Sequence, residues 1–108
     1  MAKIIGAFLF NDDGDGCLTG KWLNNDELTV YPEGAKFQYY LNDETEKFCG
    51  CYTTAWIQQG SDTVSCNLEI TKKNQSIYNL KWILANGSVL FKGTAMLYNN
   101  TLIGSYWK

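Results

Sequence analysis

Few residues of this chain could do covalent chemistry, and their types and spacing narrow the options further. Histidine is absent, and the four cysteines, Cys17, Cys49, Cys51 and Cys66, contain no CxxC pair. Zinc therefore lacks its usual ligand set, and imidazole acid–base chemistry has no carrier. Cys49 and Cys51 lie two apart, share one face of a strand and cannot bridge within it without strain, although either could pair elsewhere. The run Asn11-Asp12-Asp13-Gly14-Asp15-Gly16 opens like a calcium loop, but its twelfth position holds Trp22 where a bidentate glutamate is needed, so it reads as a solvated turn. There is no serine nucleophile elbow and no inward carboxylate pair, so we assign no enzyme chemistry, no metal and no cofactor. What remains is noncovalent recognition, for which the chain offers abundant aromatic and uncharged polar side chains.

The elements that must position these groups are strands. At 108 residues the chain is a single domain, 1–108, long enough to bury a core. Aromatic content of 15%, ten glycines and one proline favour twisted, tightly turned β structure. Alternation of period two between turn clusters predicts strands near Lys3–Phe10, Cys17–Asn24, Glu27–Tyr31, Lys47–Trp56, Val64–Thr71, Ile77–Ala85, Ser88–Leu97 and Thr101–Trp107. Phe37–Leu41 either extends the third strand past a bulge at Pro32-Glu33-Gly34 or forms an extra hairpin. Asn86-Gly87 is a type I′ hairpin signal. Alternation turns Leu18, Gly20, Trp22 and Asn24 inward, and likewise Phe48, Gly50, Tyr52 and Thr54, and Tyr78, Leu80, Trp82 and Leu84. Inward tyrosine and threonine are costly unless hydrogen-bonded, which a bound polar ligand would supply.

The segments Leu18-Thr19-Gly20-Lys21-Trp22-Leu23-Asn24 and Phe48-Cys49-Gly50-Cys51-Tyr52-Thr53-Thr54-Ala55 resemble the Leu-Thr-Gly-x-Trp-x-Asn and Phe-x-Gly-x-Tyr-x-Thr strands of the avidin and streptavidin family. Trp82, Phe91 and Gly93 repeat that family's Trp-to-Phe-x-Gly spacing, and Trp107 is similar to its next pocket tryptophan. The family's eighth strand is missing at the C-terminal end, but Ile5-Gly6-Ala7-Phe8-Leu9-Phe10 resembles it at the N-terminal end. The resemblance implies an all-β, eight-stranded antiparallel up-and-down barrel, circularly permuted so that the last family strand comes first. It also implies a biotin-like ligand, with Asn24, Tyr52 and Thr54 as polar anchors and Trp82, Phe91 and Trp107 as aromatic walls.

The same comparison shows departures. The hairpin serine has no counterpart, Phe8 stands where the last strand should carry an acceptor, and Ala85, Gly87 and Val89 replace hydroxyl positions. Each buried hydrogen bond lost costs about 1–3 kcal/mol, so biotin affinity is expected to be micromolar or poorer. Two other readings stand beside this one. The barrel could use its loops or outer wall to bind a glycan or protein, or it could be a lipocalin-type carrier of an apolar molecule, since Gly20-x-Trp22 also opens lipocalins.

A net charge of -2 with interleaved signs offers no basic patch for nucleic acid or an anionic membrane. No apolar run approaches the roughly 20 residues of a transmembrane helix, and Ile4–Phe10 runs into acidic residues with no cleavage site, so it reads as a strand and leaves localisation open. Asparagine-rich composition explains the three Asn-x-Ser/Thr matches as chance. Outward placement of Ile5, Ala7, Leu9 and Leu23 predicts an apolar outer patch and a homo-oligomer.

Overall fold

The computed structural model describes residues 3–26, 29–42, 45–57 and 62–108. Eight strands, β1 (Ile5–Gly14), β2 (Cys17–Asn24), β3 (Tyr31–Tyr39), β4 (Gly50–Ile57), β5 (Thr63–Lys72), β6 (Tyr78–Ile83), β7 (Val89–Tyr98) and β8 (Thr101–Trp107), form a closed antiparallel barrel in sequence order. Closure comes from β1, which pairs with β2 through Gly6↔Asn24 to Gly14↔Cys17 and with β8 through Ile5↔Trp107 to Asn11↔Thr101. Ladder hydrogen bonding is thereby continuous around the sheet, and every strand is paired on both sides.

The inward face follows the alternation expected from sequence. Phe8, Phe10, Leu18, Leu68, Ile70, Leu80 and Leu102 are buried and fill the interior together with Trp82, Tyr52 and Tyr106. Bulk is balanced by glycine at the narrowest rungs. Gly6 and Gly93 flank Tyr106 in register, and a Cβ on Gly6 would stand 2.3 Å from the Tyr106 ring. At Gly104, between Phe8 and Ala95, a Cβ would meet the Thr94 carbonyl at 2.0 Å.

Three local expectations change. The third strand is one continuous element, Tyr31–Tyr39, running straight through Pro32-Glu33-Gly34. Of the segment expected to form it, Glu27 and Leu28 lie outside the described residues, and Thr29 and Val30 precede the strand without joining the sheet. Pro32 is tolerated because it sits at the second residue of the strand, before pairing with β4 begins at Glu33↔Trp56. The strand β1 continues to Gly14, so most of the acidic run is the end of a hairpin, with the Gly14 N–H bonded to Asp12 Oδ1 at 2.8 Å. Asn86 keeps an ordinary φ while Gly87 sits at +89°, and the Gly87 N–H reaches the Leu84 carbonyl at 2.9 Å. That hairpin is a type I turn followed by a left-handed glycine; the pair with two positive φ values that type I′ requires is Asn99-Asn100, at 50° and 64°.

Candidate functional site

The two ends of the barrel differ. At one end Tyr52 donates its hydroxyl to the Phe48 carbonyl at 3.0 Å, beneath a shallow hollow of about 360 Å³ rimmed by Asp12, Asp15, Glu46 and Lys47. Phe48 and Tyr52 are buried and close this floor, with Phe37 edge-on to Tyr52 at 5.7 Å. Burial and nearby negative groups push the Tyr52 phenol well above its ordinary range.

The other end opens into a cup of about 270 Å³. Aromatic side chains from seven strands make its wall: Phe8 of β1, Trp22 of β2, Tyr31 of β3, Trp56 of β4, Trp82 of β6, Phe91 of β7 and Tyr106 of β8. Trp22 and Tyr31 are opposite each other in register and stack at 4.9 Å and 27°. Trp56 and Tyr106 stand edge-on to Trp22 at 6.4 and 6.5 Å, and Phe91 is edge-on to Tyr106 at 5.2 Å. The rings brace one another, so the wall is held in place without a ligand.

Polar groups enter this aromatic cup from three places. Asn24, the last residue of β2, donates from Nδ2 to the Tyr106 hydroxyl at 3.1 Å and accepts the Asp26 N–H on Oδ1 at 2.9 Å. Burial raises the Tyr106 phenol pKa, while the Asn24 bond opposes the shift. Glu33 of β3 is buried, accepts the Trp82 indole N–H at 3.0 Å and meets the Thr54 hydroxyl. Thr54 also lies 3.2 Å from the Gly34 carbonyl. A protonated Glu33 can donate to Thr54 while Thr54 donates to Gly34; an ionised Glu33 must share that single hydroxyl proton with the carbonyl. Desolvation, partly offset by the Thr54 and Trp82 bonds, moves the Glu33 carboxyl from 4.5 up to about 7. Beneath it, burial and the charge of Glu33 push the Cys66 thiol up to about 12, and no disulfide joins the four cysteines to one another. Finally, the buried Trp22 Nε1 has no hydrogen-bond partner among the described residues.

Of the side chains expected to meet a ligand, Asn24, Trp82 and Phe91 line the cup. Thr54 is buried below it and meets it through Glu33. Tyr52 does not belong to it, because its position four residues before Trp56 carries it to the other end of the barrel. Trp107 is 39% exposed and points outward, while Tyr106 is 5% exposed and occupies the wall. The parity of β8 decides this, since Leu102, Gly104 and Tyr106 pair with the inward residues Phe10, Phe8 and Gly6. Sequence reasoning missed Tyr31, Glu33, Trp56 and Tyr106. The signal for Tyr106 was that same parity, and the signal for Glu33 was a period-two continuation to Ala35 that the Pro-Glu-Gly triplet hid.

Against this geometry, comparison with known protein families, with curated proteins and with solved structures finds no match to the chain.

Proposed function

We propose that this barrel is a non-enzymatic receptor that holds a small, compact, partly polar molecule in the aromatic cup. The observation that carries the reading is the preformed cavity itself, walled by rings from seven strands with Asn24, Asp26 and Glu33 among its lining residues. The volume of about 270 Å³ lies at the small end of ligand pockets, which span roughly 300–1,000 Å³. Polar groups inside the cup favour such a ligand over the apolar cargo of a lipocalin-type carrier.

The resemblance to a permuted avidin barrel makes biotin the first compound to test, and the facing of Trp82 and Phe91 in register is consistent with it. Affinity should be low, because Tyr52 lies at the far end and the Thr54 hydroxyl is engaged by Glu33. Calorimetric titration is expected to give a dissociation constant in the micromolar range or weaker, with the heat lost in Trp22→Phe, Asn24→Ala. Silence at millimolar biotin would remove the biotin-like ligand.

A second copy of the chain is the proposed partner of the outer wall. Ile5 and Trp107 pair across β1 and β8 and are 56% and 39% exposed, and Leu9, Ile103 and Met96 continue an outward apolar row across β1, β8 and β7.

A further inference from the structure

We propose that the cup selects an organic ammonium ion, a compact alkylated or quaternary amine carrying an oxygen acceptor, with Glu33 as its counter-charge and the surrounding rings as a cation-binding cage. The proposal rests on the reading of the cup as a ligand site and specifies the ligand's charge.

Three features carry it. The charged side chains lining the cup among the described residues are Asp26 at the rim and Glu33 at depth, and both are acidic. The ionisable groups around Glu33 are Asp26 on the β2–β3 connection, Tyr31 on its own strand, Cys66 on β5 and Tyr106 on β8, and none of them brings a positive charge. An ionised Glu33 is thus buried with two donors, Thr54 and Trp82, and no cation among the described residues lining the cup. Second, Trp22, Tyr31, Trp56 and Tyr106 line the cup, and aromatic faces attract alkylammonium ions through their quadrupoles, most strongly in desolvated sites. Third, the Tyr106 hydroxyl lines the cup and accepts from Asn24, so its own proton can go to an oxygen acceptor on the same ligand, which a bare ammonium does not have but an amino alcohol does. A neutral ligand would leave the ionised carboxylate uncompensated, and the carboxylate of an anionic ligand such as biotin would be repelled by both acids, in keeping with the weak affinity expected for it.

The carboxyl titrates near neutrality, which supplies a signature. Cation binding favours ionised Glu33, so affinity should rise as pH passes through about 7 and level off above it.

The test uses the full chain with choline and its uncharged carbon isostere 3,3-dimethylbutan-1-ol, followed by tryptophan emission and calorimetry from pH 5.5 to 8.5. Choline keeps its charge throughout, so any pH dependence belongs to the protein. We expect choline to bind at least tenfold more tightly than the isostere at pH 8.5 and tenfold more tightly at pH 8.5 than at pH 5.5. In Glu33→Gln both differences should shrink to within about twofold. The wild-type comparison stands even if that variant folds poorly. Equal binding of choline and isostere, or a flat pH profile for choline, would overturn the ammonium selection and leave the cup as a site for neutral molecules. Silence toward both, together with silence toward biotin, would overturn the cup reading itself. Choline-competed sedimentation with phosphatidylcholine vesicles would assign the ammonium to a lipid headgroup; choline binding without sedimentation would assign it to a free small molecule.

Discussion

Glu33 carries most of the residue-scale consequence. Its carboxyl is moved from 4.5 to about 7 by burial, so folding retains a proton between those values that the unfolded chain releases. Below about pH 4.5 both states are protonated and the group costs nothing. As pH rises toward 7 stability falls, and above it the full penalty of roughly 3 kcal/mol remains. Glu33→Gln keeps an acceptor for Trp82 and Thr54 but removes the titration. We expect urea denaturation to show the wild type less stable at pH 8 than at pH 5 by up to that amount, with Glu33→Gln nearly flat. Equal slopes in the two proteins would show that Glu33 is not the titrating group.

At the scale of elements, the barrel depends on where glycine lets strands and rings approach. A Cβ at position 104 would press on backbone of β7, at 2.0 Å from the Thr94 carbonyl and 2.8 Å from Ala95 Cα, so nothing flexible can yield. Gly104→Ala should destabilise by at least about 3 kcal/mol, the upper end of overpacking costs. Gly34→Ala is the control, because open space surrounds that position. A Gly104→Ala midpoint close to wild type in guanidinium would contradict this packing. A nearby rung shapes the site in the same way, since Gly6 leaves the space that the Tyr106 ring occupies.

For the whole molecule, the closed sheet carries exposed apolar side chains on its outer wall. Leu23 at 42%, Ile5 at 56% and Met96 at 60% exposure lie on strands that wrap from β2 through β1 and β8 to β7. We expect light scattering to find a homodimer or higher symmetric oligomer at high micromolar concentration, and Leu9→Lys, Leu23→Lys to yield a folded monomer. A wild-type chain that is monomeric under those conditions would refute it.

The pattern of the chain determined the all-β class, the eight antiparallel strands and the inward set of β1, β2 and β4, because each depends on period-two alternation between turns. Closure through β1 was legible in the apolar run Ile5–Phe10, which needs a neighbour on each side once it is read as a strand. Alternation identifies which side chains share a face. It does not say how far along the barrel each one sits, and so Tyr52 and Thr54, two apart on one strand, could not be divided between the far floor and the base of the cup until β4 was aligned with its neighbours. Nor does it set parity where both faces of a strand are mixed, as in Thr101–Trp107, where pairing with Gly6 and Phe8 turned Tyr106 inward and Trp107 out. The cup's charge was a tertiary outcome as well. Glu33 beside a proline and a glycine has the local appearance of a turn, and only the continuous strand Tyr31–Tyr39 places its carboxylate opposite Trp56 and within reach of Trp82 and Thr54, contacts that span up to 49 residues.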